Sequence, residues 1–139
     1  MVKSIFHTQK VLFLSMILIL CFSSVAFAYK SSSYPIRPDK NGAYDGVYID
    51  VYKKSNAVVT FKAYGVHTGQ SAHIKFVLYN ANSDVVFTKD LGVGDVDGFF
   101  TLKDLAVGRY QLMWESLTSN ETNGYFYVTM DDGAGYVFQ

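Results

Sequence analysis

One cysteine, two prolines, one tryptophan and few charges set this 139-residue chain apart. The lone Cys21 excludes an internal disulfide and any zinc site built from several thiolates. Twelve basic side chains balance twelve acidic ones, so no excess of positive charge exists to displace counterions from phosphates, and nucleic acid is excluded as a partner. Charged residues make up only 17% of the chain, aromatics another 17% and hydrophobics half, the reverse of a disordered composition. No window of helical length carries apolar residues at spacings of three and four, so no helix is expected. A chain of this length makes one domain.

What is present falls into unlike pieces. Residues 1–28 hold Lys3 and Lys10, no acid, an apolar run from Val11 to Leu20, and a close on Ala26-Phe27-Ala28. This is the pattern of a secretory signal peptide, with small residues where the peptidase must accept them. The competing reading, an uncleaved anchor, is disfavoured because Ser23 and Ser24 interrupt the run. Leu20 before Cys21 speaks against lipid attachment, which wants a small residue there. The mature chain is expected to start at Tyr29, to be secreted without a stable membrane anchor, to lack cysteine and to be slightly acidic. Without cysteine in an oxidising compartment, its stability must rest on packing.

Residues 29–46 carry both prolines and no apolar period, and read as an extended leader. Residues 47–139 form the domain. Val47, Ile49 and Val51 alternate with Tyr48, Asp50 and Tyr52; Val59, Phe61 and Ala63 with Thr60, Lys62 and Tyr64; Ile74, Phe76 and Leu78 with Lys75, Val77 and Tyr79. Each set is a half-buried strand, and 85–88, 99–103, 109–117, 125–130 and 136–138 continue the series. Turn residues fill 54–56, 67–70, 80–83, 92–98 and 119–124. Seven or so strands at this spacing predict an all-β fold, an antiparallel Greek-key β-sandwich of immunoglobulin-like order.

Leu105-Ala106-Val107-Gly108-Arg109-Tyr110 carries a more local signature. It resembles the tyrosine corner of immunoglobulin-like and fibronectin type III-like domains, and its Leu-x-x-Gly-x-Tyr spacing is similar to that of prealbumin-like modules of bacterial surface proteins. The resemblance covers two central strands and implies a fold, with the Tyr110 hydroxyl bonded back to the main chain and Leu112 and Trp114 facing the core. The chain departs from those families in having no cysteine pair and in carrying Val107 where the fibronectin pattern has proline.

The residues offer little reaction chemistry. His67 and His73 read as solvated surface histidines, no Gly-x-Ser-x-Gly elbow exists, and no pair of carboxylates stands out, so no catalytic residue and no cofactor is assigned. Glu115, next to Trp114, should point outward. Asp95-x-Asp97-Gly98, with Asp90 nearby, has the alternating carboxylates of a calcium loop but not its full ligand set, and is read as a turn; no metal ligand is assigned. Asn120-Glu121-Thr122 is a glycosylation sequon if the source is eukaryotic.

All eleven tyrosines lie beyond residue 28. With an immunoglobulin-like strand order, Tyr79, Gln111, Met113, Tyr125 and Tyr127 would share one outer sheet face, a candidate binding face, since aromatic and methionine side chains bury large area and keep a polar tip. The competing reading is that tyrosine is simply a good strand residue. The expected function is a secreted, non-enzymatic module that binds or assembles at the cell surface or in the extracellular matrix. Its partner would be an extracellular protein, a cell-envelope polymer or its own copies, met through that face or a free edge strand. The alternatives are a carbohydrate-binding module, with Gln111, Lys75 or Asp50 bonding sugar hydroxyls, and a small secreted hydrolase or an inhibitor presenting residues 92–98.

Overall fold

Alternation of apolar and polar residues makes strands here because successive side chains leave a strand on opposite faces, so each segment buries one set and wets the other. The computed structural model describes residues 28–37 and 44–139; the expected signal peptide lies outside them, apart from Ala28. The strands are β1 (Tyr29–Lys30), β2 (Tyr34–Pro35), β3 (Tyr44–Val51), β4 (Ser55–Gly65), β5 (His73–Tyr79), β6 (Val85–Val93), β7 (Val96–Leu105), β8 (Gly108–Ser116), β9 (Thr122–Met130) and β10 (Gly135–Phe138). They form two antiparallel sheets. Sheet I runs β1-β9-β4-β7, with β2 also on β9, and sheet II runs β10-β3-β8-β5-β6. The architecture is the expected all-β sandwich.

Between the sheets lie Trp114, Phe76, Phe126, Ile49, Ile74, Leu78, Leu102 and Leu112, all essentially without solvent contact. Trp114 meets Phe126 edge to face at 4.8 Å, and Phe76 meets Phe126 the same way at 5.5 Å, the geometry aromatic quadrupoles favour. Burying each such ring contributes about 2–3 kcal/mol, and this core carries the domain without a disulfide. The corner forms as the resemblance implied. Gly108 holds φ at +152°, and the Tyr110 hydroxyl donates to the Ala106 carbonyl at 3.1 Å.

Three expectations are corrected. First, the leader belongs partly to the sandwich: β1 and β2 pair with β9, and Tyr34 and Ile36 are buried in the core. Apolar periodicity missed this because only two inward residues, separated by Pro35, carry it. Second, residues 92–98 are not a loop. β6 runs to Val93 and β7 starts at Val96, and the Gly94 N–H donates to the Ala72 carbonyl at 2.9 Å, so this stretch presents no projecting loop of the kind an inhibitor would use. Third, β9 lies on β4 in sheet I, not beside β8 in sheet II. The chain crosses between sheets after β8, and this divides the face expected from an immunoglobulin-like order.

Candidate functional site

Of the five residues expected on one face, Tyr79, Gln111 and Met113 lie on the outside of sheet II, where Tyr79 opposes Gln111 and Val77 opposes Met113. Tyr125 and Tyr127 lie on the outside of sheet I. The two groups are on opposite sides of the sandwich, and each outer face has its own aromatic set.

The face of sheet II is largely satisfied by its own contacts. Tyr48 stacks on Phe138 at 5.4 Å, Phe138 on Tyr136 at 5.2 Å, and Tyr136 meets Tyr52 at 5.8 Å. Arg109 lies 5.1 Å from the Phe138 ring centre and donates from Nε and Nη2 to both oxygens of Asp50, at 2.7 and 2.8 Å. This fork holds the Asp50 carboxyl below the usual carboxylate range. Lys75 pairs with Glu115, and Glu115 is buried although it leaves the strand on the outer side as expected. Asp50 and Lys75, two of the polar groups named for sugar binding, are therefore already engaged.

The face of sheet I is different. Across its three long strands two rows of outward side chains are set by register: Phe99, Thr60 and Tyr127 in one, Asp97, Lys62 and Tyr125 in the next. Tyr64 follows Lys62 on the same side of β4. A groove of about 490 Å3 runs between Tyr64, Lys62, Asp95, Asp97 and Tyr125, and a second of about 380 Å3 continues it past Thr60 to Phe99 and Tyr127. Phe99 is 71% exposed and Tyr125 46%. Among the described residues neither ring contacts another ring, and neither Lys62 nor Asp97 has an ion-pair partner. Tyr127 is less free, because the Lys30 ammonium sits 4.1 Å from its ring centre. Gly124 positions this row: at φ +155° its backbone approaches β4 so closely that a Cβ would lie 2.0 Å from the Lys62 carbonyl oxygen.

Sequence reasoning missed Phe99 and Asp97, and alternation turned Lys62 outward without bringing it beside Tyr125. The signal available was the parity of β7, where Phe100 and Leu102 are the core residues and Phe99 must then face out, but its neighbours on that face depend on pairing between distant strands.

The other candidates are absorbed by structure. Asp95 Oδ1 accepts from the Gly65 N–H at 3.2 Å. Asp90 accepts from the Gly92 N–H at 2.7 Å and lies 2.8 Å from His73 Nε2, and both contacts hold its carboxyl below the usual range. His67 is exposed, as expected, and faces Glu121 at 3.3 Å, while His73 is only partly exposed, so both histidines have carboxylate partners. The Asn120 side-chain amide donates to the Ser71 carbonyl at 3.4 Å. Among the described residues no helix is long and apolar enough to cross a membrane.

No family model and no curated protein matches the chain. Solved structures similar to it include the CBM22-1 xylan-binding domain of Paenibacillus barcinonensis Xyn10C, at 11% identity and TM-score 0.47, covering 80% of this chain and 100% of that one. A Bacillus endospore appendage, from a family of disulfide-linked pili, is similar at 14% identity and TM-score 0.44, covering 86% and 94%. A GH115 4-O-methyl-α-glucuronidase is similar at 9% identity and TM-score 0.47 over 76% of this chain, which spans only 18% of that protein. These likenesses concern architecture alone.

Proposed function

We propose that this chain is a non-enzymatic binding module, exported by residues 1–28, that works at the cell surface or in the extracellular matrix and holds its ligand on the outer face of sheet I. One observation carries the reading: the exposed rings of Phe99 and Tyr125 flank the Lys62 ammonium and the Asp97 carboxylate, and among the described residues the rings have no ring–ring contact and the charges no ion-pair partner. The exposed rings of sheet II, Tyr48, Tyr52 and Tyr136, at least contact other rings, whereas a set left without such contacts beside charges costs solubility without adding stability.

The edge strands of sheet II support a face over an edge. The far side of β10 is occupied by tyrosine hydroxyls from the amino-terminal segment, and β6 carries an inward-facing lysine, both devices that discourage strand addition.

The test is capture of the mature chain, starting at Tyr29, by a cell-envelope and matrix fraction from its own source. Phe99→Ala and Tyr125→Ala should lose most of the capture, while Tyr52→Ser on the opposite face should keep it. Capture of the two sheet I variants at the wild-type level would overturn the reading.

A further inference from the structure

We infer that the ligand held on sheet I is an uncharged polysaccharide chain, gripped by stacking on Phe99 and Tyr125 and by hydrogen bonds from Lys62 and to Asp97. The inference rests on the binding reading above and adds the chemical class.

The arrangement of polar and apolar groups carries it. A protein partner wants an apolar centre with charge excluded to a rim. Here the order is reversed: the central strand β4 presents Thr60 and Lys62, and the rings stand on the flanking strands β7 and β9. Two strand spacings separate those flanks, roughly 9.5 Å, with polar groups between. A pyranose chain has the matching alternation, since each ring offers a C–H face for stacking and a rim of hydroxyls that both donate and accept. Lys62 supplies donors only and Asp97, as a carboxylate, acceptors only, so the pair answers both halves of a hydroxyl's requirement.

Charge selects the uncharged class. Lys62 and Asp97 oppose each other in register and cancel, and Asp95, the second carboxylate on the groove, is offset by Lys30 over the Tyr127 ring, so two acids meet two bases and the groove has no excess sign with which to attract a uronate or sulfated polymer or a cationic one. The groove is also open and shallow, continuing from Tyr64 past Lys62 to Phe99, which suits a long chain lying across the strands rather than a small molecule needing enclosure.

Affinity electrophoresis of the mature chain in gels containing hydroxyethylcellulose, xylan, galactomannan or polygalacturonate tests this, alongside capture by envelope stripped of protein with protease. At least one neutral polymer should retard the protein, with the effect persisting at about 0.5 M NaCl, where exposed charges are screened. Phe99→Ala and Tyr125→Ala should each weaken it by roughly 3- to 10-fold, the scale of one aromatic contact. Lys62→Met and Asp97→Asn should weaken it while leaving the melting temperature unchanged. Retardation by polygalacturonate alone, abolished by salt, would overturn the inference. Capture that depends on Phe99 and Tyr125 but disappears after protease treatment would also overturn it, leaving the binding face intact with a protein as its ligand. Capture indifferent to Phe99 and Tyr125 would remove both readings.

Discussion

The Tyr29 hydroxyl accepts a hydrogen bond from the Val137 N–H at 2.9 Å, joining the start of the described chain to its end across 108 positions. The Tyr34 hydroxyl donates to the Val137 carbonyl at 3.2 Å. Val137 opposes Ile49 on β3, and among the described residues no strand lies on the other side of β10. Two side chains therefore stand in for a neighbouring strand and satisfy main-chain groups that would otherwise form an adhesive edge.

Removing the Tyr34 hydroxyl alone should cost about 1 kcal/mol, because the Val137 carbonyl loses its shorter side-chain bond and keeps the longer one from the Tyr29 hydroxyl at 3.4 Å, while the ring still fills its place. Denaturant unfolding of Tyr34→Phe measures the loss. The amide of Val137 should exchange faster with solvent deuterium in Tyr29→Phe than in the parent. Unchanged exchange would mean that water replaces the hydroxyl without penalty.

The opposite edge is guarded by charge. Lys89 opposes Phe76, which is fully buried, so the lysine leaves β6 on the inward side at an edge that lacks a neighbour among the described residues. An antiparallel partner centred on Lys89 would bring Phe87 against Leu91 of a second copy and the two lysines together. Lys89→Val should remove that repulsion and produce a dimer or larger species in sedimentation velocity at concentrations where the parent is monomeric. A monomeric variant would show that some other feature blocks the edge.

Alkaline pH should loosen the amino-terminal strap. Burial, with Tyr29 beside it, pushes the Tyr34 hydroxyl above the ordinary tyrosine range. The folded state thus holds this proton more tightly than the unfolded chain does. Its contribution is complete below pH of about 10 and is lost as pH rises through the higher folded value. Unfolding free energies should fall across that window in the parent and fall less steeply in Tyr34→Phe. At the acid end the sign is reversed: Asp50 is held low by Arg109, so its contribution is present above the ordinary carboxylate range and is lost as pH falls through the depressed value. Asp50→Asn should flatten that limb.

Gly124→Ala should damage fold and site together. Its Cβ would meet the Lys62 carbonyl oxygen at 2.0 Å, so β9 and β4 must separate where Tyr125 and Lys62 face each other. A loss of about 3 kcal/mol or more is expected, against a smaller one at Gly69, whose Cβ would meet nothing and whose cost comes from backbone conformation alone. Thermal unfolding of the two variants side by side makes the comparison.

The strands β3–β5 and β8–β10 were legible because each buries one side, and alternation records burial residue by residue; β6 and β7 were legible only over 85–88 and 99–103, since β6 is exposed along most of its length and buries too little to show a period. The corner was legible because Gly108 and Tyr110 are neighbours in sequence. Sheet membership was not. β9 has an alternating pattern that would suit either sheet, and only its pairing with β4, some 65 residues upstream, decides which way Tyr125 points. The candidate face was half found for that reason. Tyr125 and Tyr127 were named, while Phe99, Lys62 and Asp97 come to lie beside them through pairings that no local window contains. The strap was hidden for a related reason: Tyr34 and Ile36 are core residues in a stretch too short to show a period, and their partners lie some 90 to 100 residues away.

The seal on Val137 also orders events in time. The first strands of the chain dock on β9 and on the last four-residue strand, and β3 pairs with that same strand, so the sandwich cannot close until the carboxyl end has been delivered. Loops of this length close late and cost entropy before any contact repays it. A chain threaded amino end first through a narrow export channel would therefore arrive on the far side with its opening strands still unpaired.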